Sequence, residues 1–445
     1  MTQQGVRWTA DQVLALAPDS VSREAGSRLG AAGPWSGTGR SDEGAVWGLC
    51  KGGGSLPYRT AVDVAGPSGP AYLCSCPSRK FPCKHALGLL LLWADGGDSM
   101  PAGQVPDWAE EWMEGRREQG GRKAVPAQGG PGSASSGPEA AARRAERITA
   151  GATELEQRLA DLLRGGLATV EQAGYGLWEE TAARMVDAQA PGLASRVREL
   201  GAIAASGPGW PVRLLEECAL LHLLDQGWLH RERLPEGLAA TVRSRVGLTA
   251  PADGPPVRDR WLVLAQYDTT DPRLTTRRIW LYGTGSDRTT LLLSYGAAGR
   301  APDVALPVGL ALDAEVSSYT GGPRGVLGER FAPPGPTAAR PPGVTAGRAL
   351  ARYGEALRDD PWLESVPVTL DRVVPTPDGD SWQLADTTDD TALPLTPAAR
   401  ARPGLWRLVS LSGGAPVKVF GECGHRGFTP LTAWPEGPGD AVPLC

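Results

Sequence analysis

The spacing of apolar residues divides the chain into stretches of different secondary structure. Residues 1–115 open with two short helical patterns, continue with alternation typical of strands, and then return to helical spacing. Asp107 and Glu110 have the spacing of a capping box, which marks a helix start. The elements predicted here are helices over 10–16 and 20–29, β structure over 46–73, an apolar helical run over 86–93 and a helix from Asp107.

A helical pattern covers residues 143–250. Leucines recur at helical spacing after Thr153, which forms a second capping box with Glu156, and Gly165 and Gly166 mark the end of that helix. The further predicted helices are one with Leu193, Val197 and Leu200 after Pro191, and one over 212–226. The middle of the chain is therefore predicted to be a helical region.

Residues 255–445 change to short alternating runs separated by Gly, Pro and Asp turns, which is typical of antiparallel sheet. A Pro-rich loop over 332–344, a turn over 319–328 and one helix near 348–357 interrupt it. No internal repeat of fixed period is visible. The predicted strands are 261–266, 278–282, 289–295, 366–374, 382–386, 406–411 and 417–421.

Residues 116–142 have a different composition, without aromatics and with almost no large aliphatic side chains. Such a segment cannot bury enough apolar surface to offset the entropy of folding. It is predicted to be a flexible linker, which would let the parts on its two sides engage partners separately.

Composition and charge exclude several classes of protein. At 445 residues the chain has room for two or three domains, and 41% hydrophobic with 21% charged residues is ordinary for a globular protein. The longest apolar run, 86–94, is too short for a membrane helix, and the N-terminus lacks the pattern of an export signal. A net charge of −5 gives no general attraction for nucleic acid. We therefore expect a cytoplasmic protein without a membrane segment.

Four potential metal ligands fall within twelve positions, namely Cys74, Cys76, Cys83 and His85. In an extended strand, side chains two residues apart share a face, so Cys74 and Cys76 can point at one ion. The apolar helical run starts directly after His85, which places the second pair where a helix begins. Three thiolates and one imidazole form the tetrahedral set that zinc accepts. Because no ligand position is left for water or substrate, we predict one structural zinc ion.

Two alternatives to zinc remain for this cluster. The side chains could be unrelated buried residues, or Cys74 and Cys76 could be a redox pair, although a disulfide across one residue would be strained. Seven cysteines in a reducing compartment favour free thiols or metal ligands over a disulfide framework. In a module with little core of its own, zinc would contribute on the order of 10 kcal/mol to folding.

The pattern C-x-C-x6-C-x-H within CSCPSRKFPCKHALGLLLLW resembles the SWIM zinc finger family. With the upstream WGLCKGGGSLPYR, the segment is most similar to the bacterial members. The resemblance implies a ββα-like finger module over about 46–95 whose zinc ligands are the four residues above. It also implies binding to nucleic acid or to protein, and a partner in a MoxR-type ATPase system.

Basic residues around the predicted finger could contact nucleic acid. Between residues 51 and 93, five basic residues against one Asp give a charge of +4, which three thiolates and Zn²⁺ reduce by one. Such a patch predicts weak, salt-sensitive binding. Alternatively the patch is a solvated rim, which the acidic helix over 107–114 could neutralise. The candidate contacts are Arg79, Lys80 and Lys84, with Phe81 available to stack on a base.

The remaining Cys and His residues are weaker candidates. Cys218 and His222 share a helix face, but the surrounding leucines favour a place in the core. Cys423 and His425 repeat the C-x-H half of the finger without a C-x-C pair, and Cys445 is the nearest further thiol. Cys50 is expected to pack near the finger without binding the metal.

The chain contains no phosphate-binding loop, nucleophile elbow or H-E-x-x-H motif, so we expect it not to be an enzyme. We predict a multidomain α+β protein with an N-terminal zinc finger region, a linker, a helical region and a β-rich antiparallel region over 255–445. The expected function is that of a non-catalytic adaptor for another protein. The alternatives are nucleic-acid binding through the finger and, less favoured, an enzyme site in the β-rich region.

Overall fold

The computed structural model describes all but a few short segments of the chain. The residues outside the description are 1–7, 15, 18–19, 53–56, 66–69, 79–81, 97–98, 124–137, 249–251, 253, 271–273, 298–301, 303, 320–321 and 438. The described residues form helices and three sheets in separate regions, so the predicted multidomain α+β class is confirmed.

The N-terminal region is a four-stranded antiparallel sheet, in the order β1-β2-β3-β4, with helices on both faces. Its strands are β1 (Trp35–Arg40), β2 (Ala45–Cys50), β3 (Tyr58–Asp63) and β4 (Ala71–Cys74). Its helices are α1 (Ala10–Leu14), α2 (Ser20–Ser27), α3 (Lys84–Asp95) and α4 (Asp107–Lys123). The predicted helices and strands of this region are present, and β1 is an additional strand that its Gly-rich sequence concealed.

Alternation along β2 separates two cores. Val46 and Cys50 face α3 and share a buried cluster with it, whereas Ala45 and Trp47 face the opposite side and pack against α4. The sheet therefore lies between α3 and α4. Helix α3 is buried over most of its length and ends at Gly96, whose φ of 79° is the left-handed conformation of a helix C-cap.

The helical region contains α5 (Pro138–Gly165), α6 (Ala168–Asp187), α7 (Pro191–Ile203), α8 (Trp210–Leu229) and α9 (Glu236–Val246). Their apolar faces meet in one core, in which Leu193, Val197 and Leu200 of α7 are buried as their spacing predicted. The helix start predicted at Thr153 is wrong. Helix α5 begins fifteen residues earlier, at Pro138, and the Thr153 hydroxyl donates to the Thr149 carbonyl within the helix at 2.8 Å.

Helix extends into both ends of the segment predicted as a linker. Helix α4 continues to Lys123, and α5 already starts at Pro138, so only 124–137 separate them, and those residues lie outside the description. The segment lacks apolar residues, but its Arg, Glu and Gln side chains have high intrinsic helix propensity. Low apolar content was therefore a poor guide to backbone conformation here.

The first β unit follows the helical region. Its strands are β5 (Val257–Thr270), β6 (Leu274–Gly283), β7 (Arg288–Ala297), β8 (Leu310–Ser318), β9 (Arg324–Arg330) and the short β10 (Gly335–Pro336). β5, β6 and β7 form an antiparallel meander, β8 pairs with β5, and β9 pairs antiparallel with β8 and parallel with β7. These pairings close a five-stranded barrel around a buried apolar core.

The second β unit covers the C-terminal part of the chain. It contains α10 (Ala346–Leu357), β11 (Ser365–Asp378), β12 (Ser381–Asp386), β13 (Ala392–Pro394), α11 (Pro397–Arg400), α12 (Gly404–Ser412), β14 (Val417–Gly424), β15 (Gly427–Pro435) and β16 (Val442–Pro443). The strand order is β13-β12-β11-β14-β15-β16. A parallel bridge between Leu395 and Phe428 joins the end of β13 to β15, so these strands also curl into a barrel.

Two predictions for the β-rich region are wrong. Residues 406–411, predicted as a strand, lie in α12, where Leu405, Leu408 and Ser412 are buried at helical spacing while Trp406 is exposed. Residues 319–328, predicted as a turn, include the first five residues of β9. The other predicted strands and the predicted helix lie within β5, β6, β7, β11, β12, β14 and α10.

Buried contacts join the regions to one another. Ala305 and Leu310 of the first β unit share the core that α1 and α3 form, and the Gln12 amide donates to the Val308 carbonyl at 3.0 Å. Trp362, just before β11, is buried in the core of the helical region, and its indole N–H donates to the Leu220 carbonyl at 2.8 Å. The parts on either side of residues 124–137 are therefore packed together.

No helix in the described part of the chain combines the length and apolar content that crossing a membrane requires.

Candidate metal centre

The four predicted ligands are brought together where β4 ends and α3 begins. Cys74 is the last residue of β4, and Cys76 follows two positions later. Cys83 immediately precedes α3 in an extended conformation, with φ −73° and ψ 167°, and His85 is the second residue of the helix. The strand end thus supplies one pair of ligands and the helix start supplies the other, as the spacing predicted.

The ligand atoms have the separations that a tetrahedral zinc site requires. The four atoms lie within 4.8 Å of one another. His85 Nδ1 is 3.7 Å from Cys74 Sγ and 4.0 Å from Cys83 Sγ. In a tetrahedron with Zn–S near ~2.3 Å and Zn–N near ~2.0 Å, the ligand atoms lie roughly 3.5–3.8 Å apart. Cys74, Cys76, Cys83 and His85 are therefore positioned to bind one zinc ion.

The electrostatics of the thiols favour a bound cation. A hydrogen bond from the Cys83 thiol, more than any other contact, lowers the pKa of Cys74 to about 3, so this sulfur is a ready thiolate. The same hydrogen bond raises the pKa of Cys83, and burial raises that of Cys76. Three adjacent thiolates repel one another in a partly buried site, and a divalent cation removes that repulsion.

Neighbouring residues of β3 hold the ligands in place. The Tyr58 ring lies against the His85 imidazole, with centroids 4.8 Å apart, and the Thr60 hydroxyl is 3.4 Å from Cys74 Sγ. The Ser75 N–H donates to the Arg59 carbonyl and the Arg59 N–H donates to the Ser75 hydroxyl, which ties the Cys74–Cys76 pair to the same strand. Tyr58 and Thr60 were not among the predicted site residues, although their spacing of two on a predicted strand placed both on one face.

The other thiols lie apart from this cluster. Cys50 is fully buried in the core beneath the site, and burial is the main cause of its raised pKa. Cys218 is buried in the helical region, whereas His222 bonds to Glu156 at the surface. The Cys445 thiol donates to the Gln266 carbonyl, away from any second ligand set. Within the described residues, the zinc cluster is the one group of three or more side chains arranged to hold a metal.

The predicted nucleic-acid contacts are only partly described. Arg79, Lys80 and Phe81 lie outside the described residues, so their predicted role stays a prediction. Lys84 is exposed at the first position of α3, directly between the ligands Cys83 and His85.

The closed coordination set and its place in a sheet–helix module define a structural zinc finger. Two segments of the chain match known family models. Residues 62–94 match the SWIM zinc finger, and residues 143–246 match the SWIM-associated four-helix bundle domain. The chain thus contains a SWIM zinc finger and a SWIM-associated helical bundle, and the resemblance of residues 74–85 to the SWIM zinc finger pattern is confirmed.

The matched segments correspond to defined parts of the fold. The first covers the end of β3, β4, the four ligands and α3, and the second covers α5 to α9. Both β units lie outside these matches. No curated protein and no solved structure matches the chain.

Proposed function

We propose that the protein is a non-catalytic adaptor that binds another protein through an exposed apolar stripe on α8. The stripe consists of Val212, Leu215, Ala219 and Leu223, which fall on one side of the helix. Val212 is 61% exposed, Leu215 48% and Leu223 44%. Large apolar side chains grouped on a surface in this way are typical of an interaction site, because water solvates them poorly. This stripe carries the proposal.

The opposite face of α8 explains why the stripe is not needed for folding. Leu214, Cys218, Leu221 and Leu224 are buried in the helical core, so α8 is already anchored without its outer face. A helix that is apolar on both faces is usually covered on both. Within the described residues, the outer face of α8 remains open to solvent.

Charges of both signs border the stripe and favour a protein partner. Glu216 is exposed on α8, His222 pairs with Glu156 at 2.7 Å, and Arg213 is held by the backbone of Ser206. A nucleic acid or an anionic membrane would instead select a surface of one sign. The partner class implied by the family resemblance is a MoxR-type ATPase, in the cytoplasm, and the zinc ion serves only to hold the fold.

A binding assay with a purified MoxR-type ATPase of the same genome tests this proposal. Leu215→Glu with Leu223→Glu places two charges on the stripe and should weaken binding at least tenfold, measured by biolayer interferometry. Leu350→Glu is the matched control, because Leu350 of α10 is also 44% exposed but lies outside the stripe. Equal binding by all variants would refute the stripe as the interface. Loss of a dimer in the double variant would instead assign it to a second copy of the chain.

Nucleic-acid binding through the finger is the second candidate, and one observation favours it. Lys51, Arg59 and Lys84 are exposed around the zinc site. The acidic side chains of α4 lie across the sheet, because α4 packs on the face opposite to α3. They are thus separated by the sheet from Lys84 at the start of α3, although the sequence suggested that they could neutralise the patch. Arg59, by strand alternation with Ala61, is on the α4 side.

A salt titration tests this second candidate. Lys51→Glu with Lys84→Glu should weaken binding to labelled DNA or RNA and reduce its dependence on salt, because two phosphate contacts are lost. Arg28→Glu is a suitable control, since Arg28 is an exposed basic residue directly after α2 in the same region. Unchanged binding in the double variant would exclude this patch as the site.

A further inference from the structure

The two β units share one topology that neither family match covers. In each unit, the first three strands form an antiparallel meander, the fourth pairs with the first, and the fifth pairs with the fourth and runs parallel to the third. The order 1-2-3-5-4 with a parallel closure between strands 3 and 5 is that of an OB-type barrel. In such barrels, ligands bind on the face of strands 2 and 3 and on the loop between strands 4 and 5.

In the first barrel the corresponding face is formed by β6, β7 and the β8–β9 turn. Ile279 and Leu281 of β6 point into the barrel, so the neighbouring Arg278 points outward. On β7, Leu293 and Tyr295 also point outward. Arg278 lies opposite Leu293 across the strands. This outward surface, together with Tyr319 and Arg324 of the turn, is called the barrel wall below.

The barrel wall combines rings with guanidinium groups. Tyr295 is 51% exposed, and the Arg324 guanidinium lies 5.2 Å from the centroid of the Tyr319 ring. Among the described residues, neither Arg278 nor Arg324 has a carboxylate within ion-pair distance. Single-stranded nucleic acid is bound by this combination, because bases stack on aromatic rings while arginines contact the phosphates.

Four residues of the barrel wall, Arg278, Leu293, Tyr319 and Arg324, line a cleft of about 2830 Å³ that the helical region and the second β unit also border, and Tyr295 lies outside this lining. That volume exceeds the roughly 300–1,000 Å³ of a small-molecule pocket and suits a polymer. Arg196 and Arg243 face the cleft from the helical side, also without an ion-pair partner in the described part of the chain.

Carboxylates in the cleft lie mainly away from the barrel wall. The cleft is lined by equal numbers of arginines and carboxylates, but the acidic residues are on the helical region and on the α10–β11 connection. The exception is Glu422, which accepts hydrogen bonds from the Tyr267 hydroxyl and the Trp280 indole at 3.1 Å each. The barrel wall is thus the basic side of an otherwise balanced cleft.

We propose that the barrel wall, Arg278, Leu293, Tyr295, Tyr319 and Arg324, binds single-stranded nucleic acid. This site is separate from the zinc finger, and it does not rest on the adaptor proposal. Two residues of the α8 stripe, Ala219 and Leu223, line the opposite side of the same cleft. A strand running along the barrel wall would stack one base on Tyr319 in the cleft and another on Tyr295 outside it, and would place phosphates near Arg278 and Arg324.

The test is fluorescence anisotropy of the full chain with a labelled 12-nucleotide oligo(dT), which falls within the roughly 4–16 nucleotides that one OB barrel covers. With about three phosphate contacts, the affinity should fall about 20-fold between 50 and 200 mM salt. Arg278→Gln with Arg324→Gln should weaken binding and flatten this dependence. Tyr295→Ala should weaken binding about tenfold, because one stacking contact is lost.

Two control variants test whether loss of any exposed arginine or aromatic ring, rather than one at the barrel wall, weakens oligonucleotide binding. Arg164→Gln removes a charge from an exposed arginine of α5, and Phe331→Ala removes an exposed ring of the same barrel, both outside the cleft. Neither should change oligonucleotide binding. Thermal melts of all variants should coincide, since Tyr295 and Phe331 are both substantially exposed.

Three outcomes would overturn the proposal. The first is absence of oligo(dT) binding at 50 mM salt. The second is binding that the barrel-wall variants leave unchanged but Lys51→Glu with Lys84→Glu abolishes, which would assign nucleic acid to the finger. The third is loss of a bound protein or oligosaccharide, but not of oligo(dT), in the barrel-wall variants. Leu215→Glu alone, at a stripe residue outside the lining of the cleft, should weaken binding of the protein partner without affecting oligo(dT) binding, so failure of one proposal is distinguishable from failure of the other.

Discussion

Replacing Cys83 with Ser should unfold the zinc finger region while leaving the C-terminal barrel folded. Cys83 supplies one of the four zinc ligands and immediately precedes α3. Serine keeps the size of the side chain but is a poor ligand for zinc compared with a thiolate. The variant should therefore lose its metal, and the segments that the metal joins should separate.

The magnitude follows from what the zinc ion holds together. Structural zinc contributes on the order of 10 kcal/mol to small modules, which is comparable with the roughly 5–15 kcal/mol stability of an entire domain. Helix α3 buries nine residues in a row, from His85 to Trp93, against the sheet. Without the metal, the connection between β4 and α3 loses its crosslink. The free energy of unfolding of this region should then fall close to zero.

Hydrogen exchange followed by mass spectrometry would measure the effect by region. In Cys83→Ser, amides of β2, β3 and α3 should lose protection, whereas those of β11 and β14 should keep it. Metal analysis should give about one zinc per wild-type chain and none per variant chain. Cys50→Ser is the matched control, because Cys50 is fully buried in the same core but is not a ligand, so it should retain its zinc. Wild-type protection of α3 in metal-free Cys83→Ser would refute the reasoning.

Three further predictions concern the packing. Burial, with the nearby Glu156 carboxylate, raises the pKa of Asp225 to about 9. Since the folded state then keeps a proton that the unfolded chain releases near pH ~4, the free energy of unfolding should fall by about 1.4 kcal/mol per pH unit between about pH 4 and 9. Asp225→Asn should remove that slope in urea unfolding, and parallel pH profiles for both proteins would contradict this. Trp362→Ala should cost about 3–5 kcal/mol in denaturant unfolding, because its indole fills the helical core, and a loss under 1 kcal/mol would contradict that role. Leu408→Ala should cost about 2–5 kcal/mol and exposed Trp406→Ala clearly less, whereas equal losses would indicate a shared face, as in a strand.

The zinc site could be predicted from the sequence because all four ligands lie close together along the chain. Four ligands within twelve positions leave few ways to fold, and the C-x-C pair fits a strand as the C-x-H pair fits a helix start. The supporting contacts of Tyr58 with His85 could not be predicted, because they depend on the register of β3 with β4. That register aligns Thr60 with Cys74, and nothing in the local sequence specifies it.

The β-rich region shows where local patterns stop being informative. Residues 406–411 alternate like a strand, yet Pro403 and the left-handed Gly413 delimit a helix whose buried positions Leu405, Leu408 and Ser412 are three and four residues apart. The repeated barrel topology left no sequence period, because its loops differ in length and, in the part of the chain that the structure describes, helices lie between the third and fourth strands of the second unit alone. Topology of this kind depends on pairings between residues far apart in sequence.

The position of the zinc finger suggests what its stability controls. Helix α1 lies between α3 and the segment that leads into β8, since Val13 and Leu16 share a core with both Leu90 and Leu310. That segment, with Leu306 and Val308, fills one end of the first barrel. Loss of zinc would therefore remove packing from α3 first, then from α1, and last from the barrel end. The zinc ion, although it touches no substrate, thereby supports the barrel whose outer wall is proposed to bind nucleic acid.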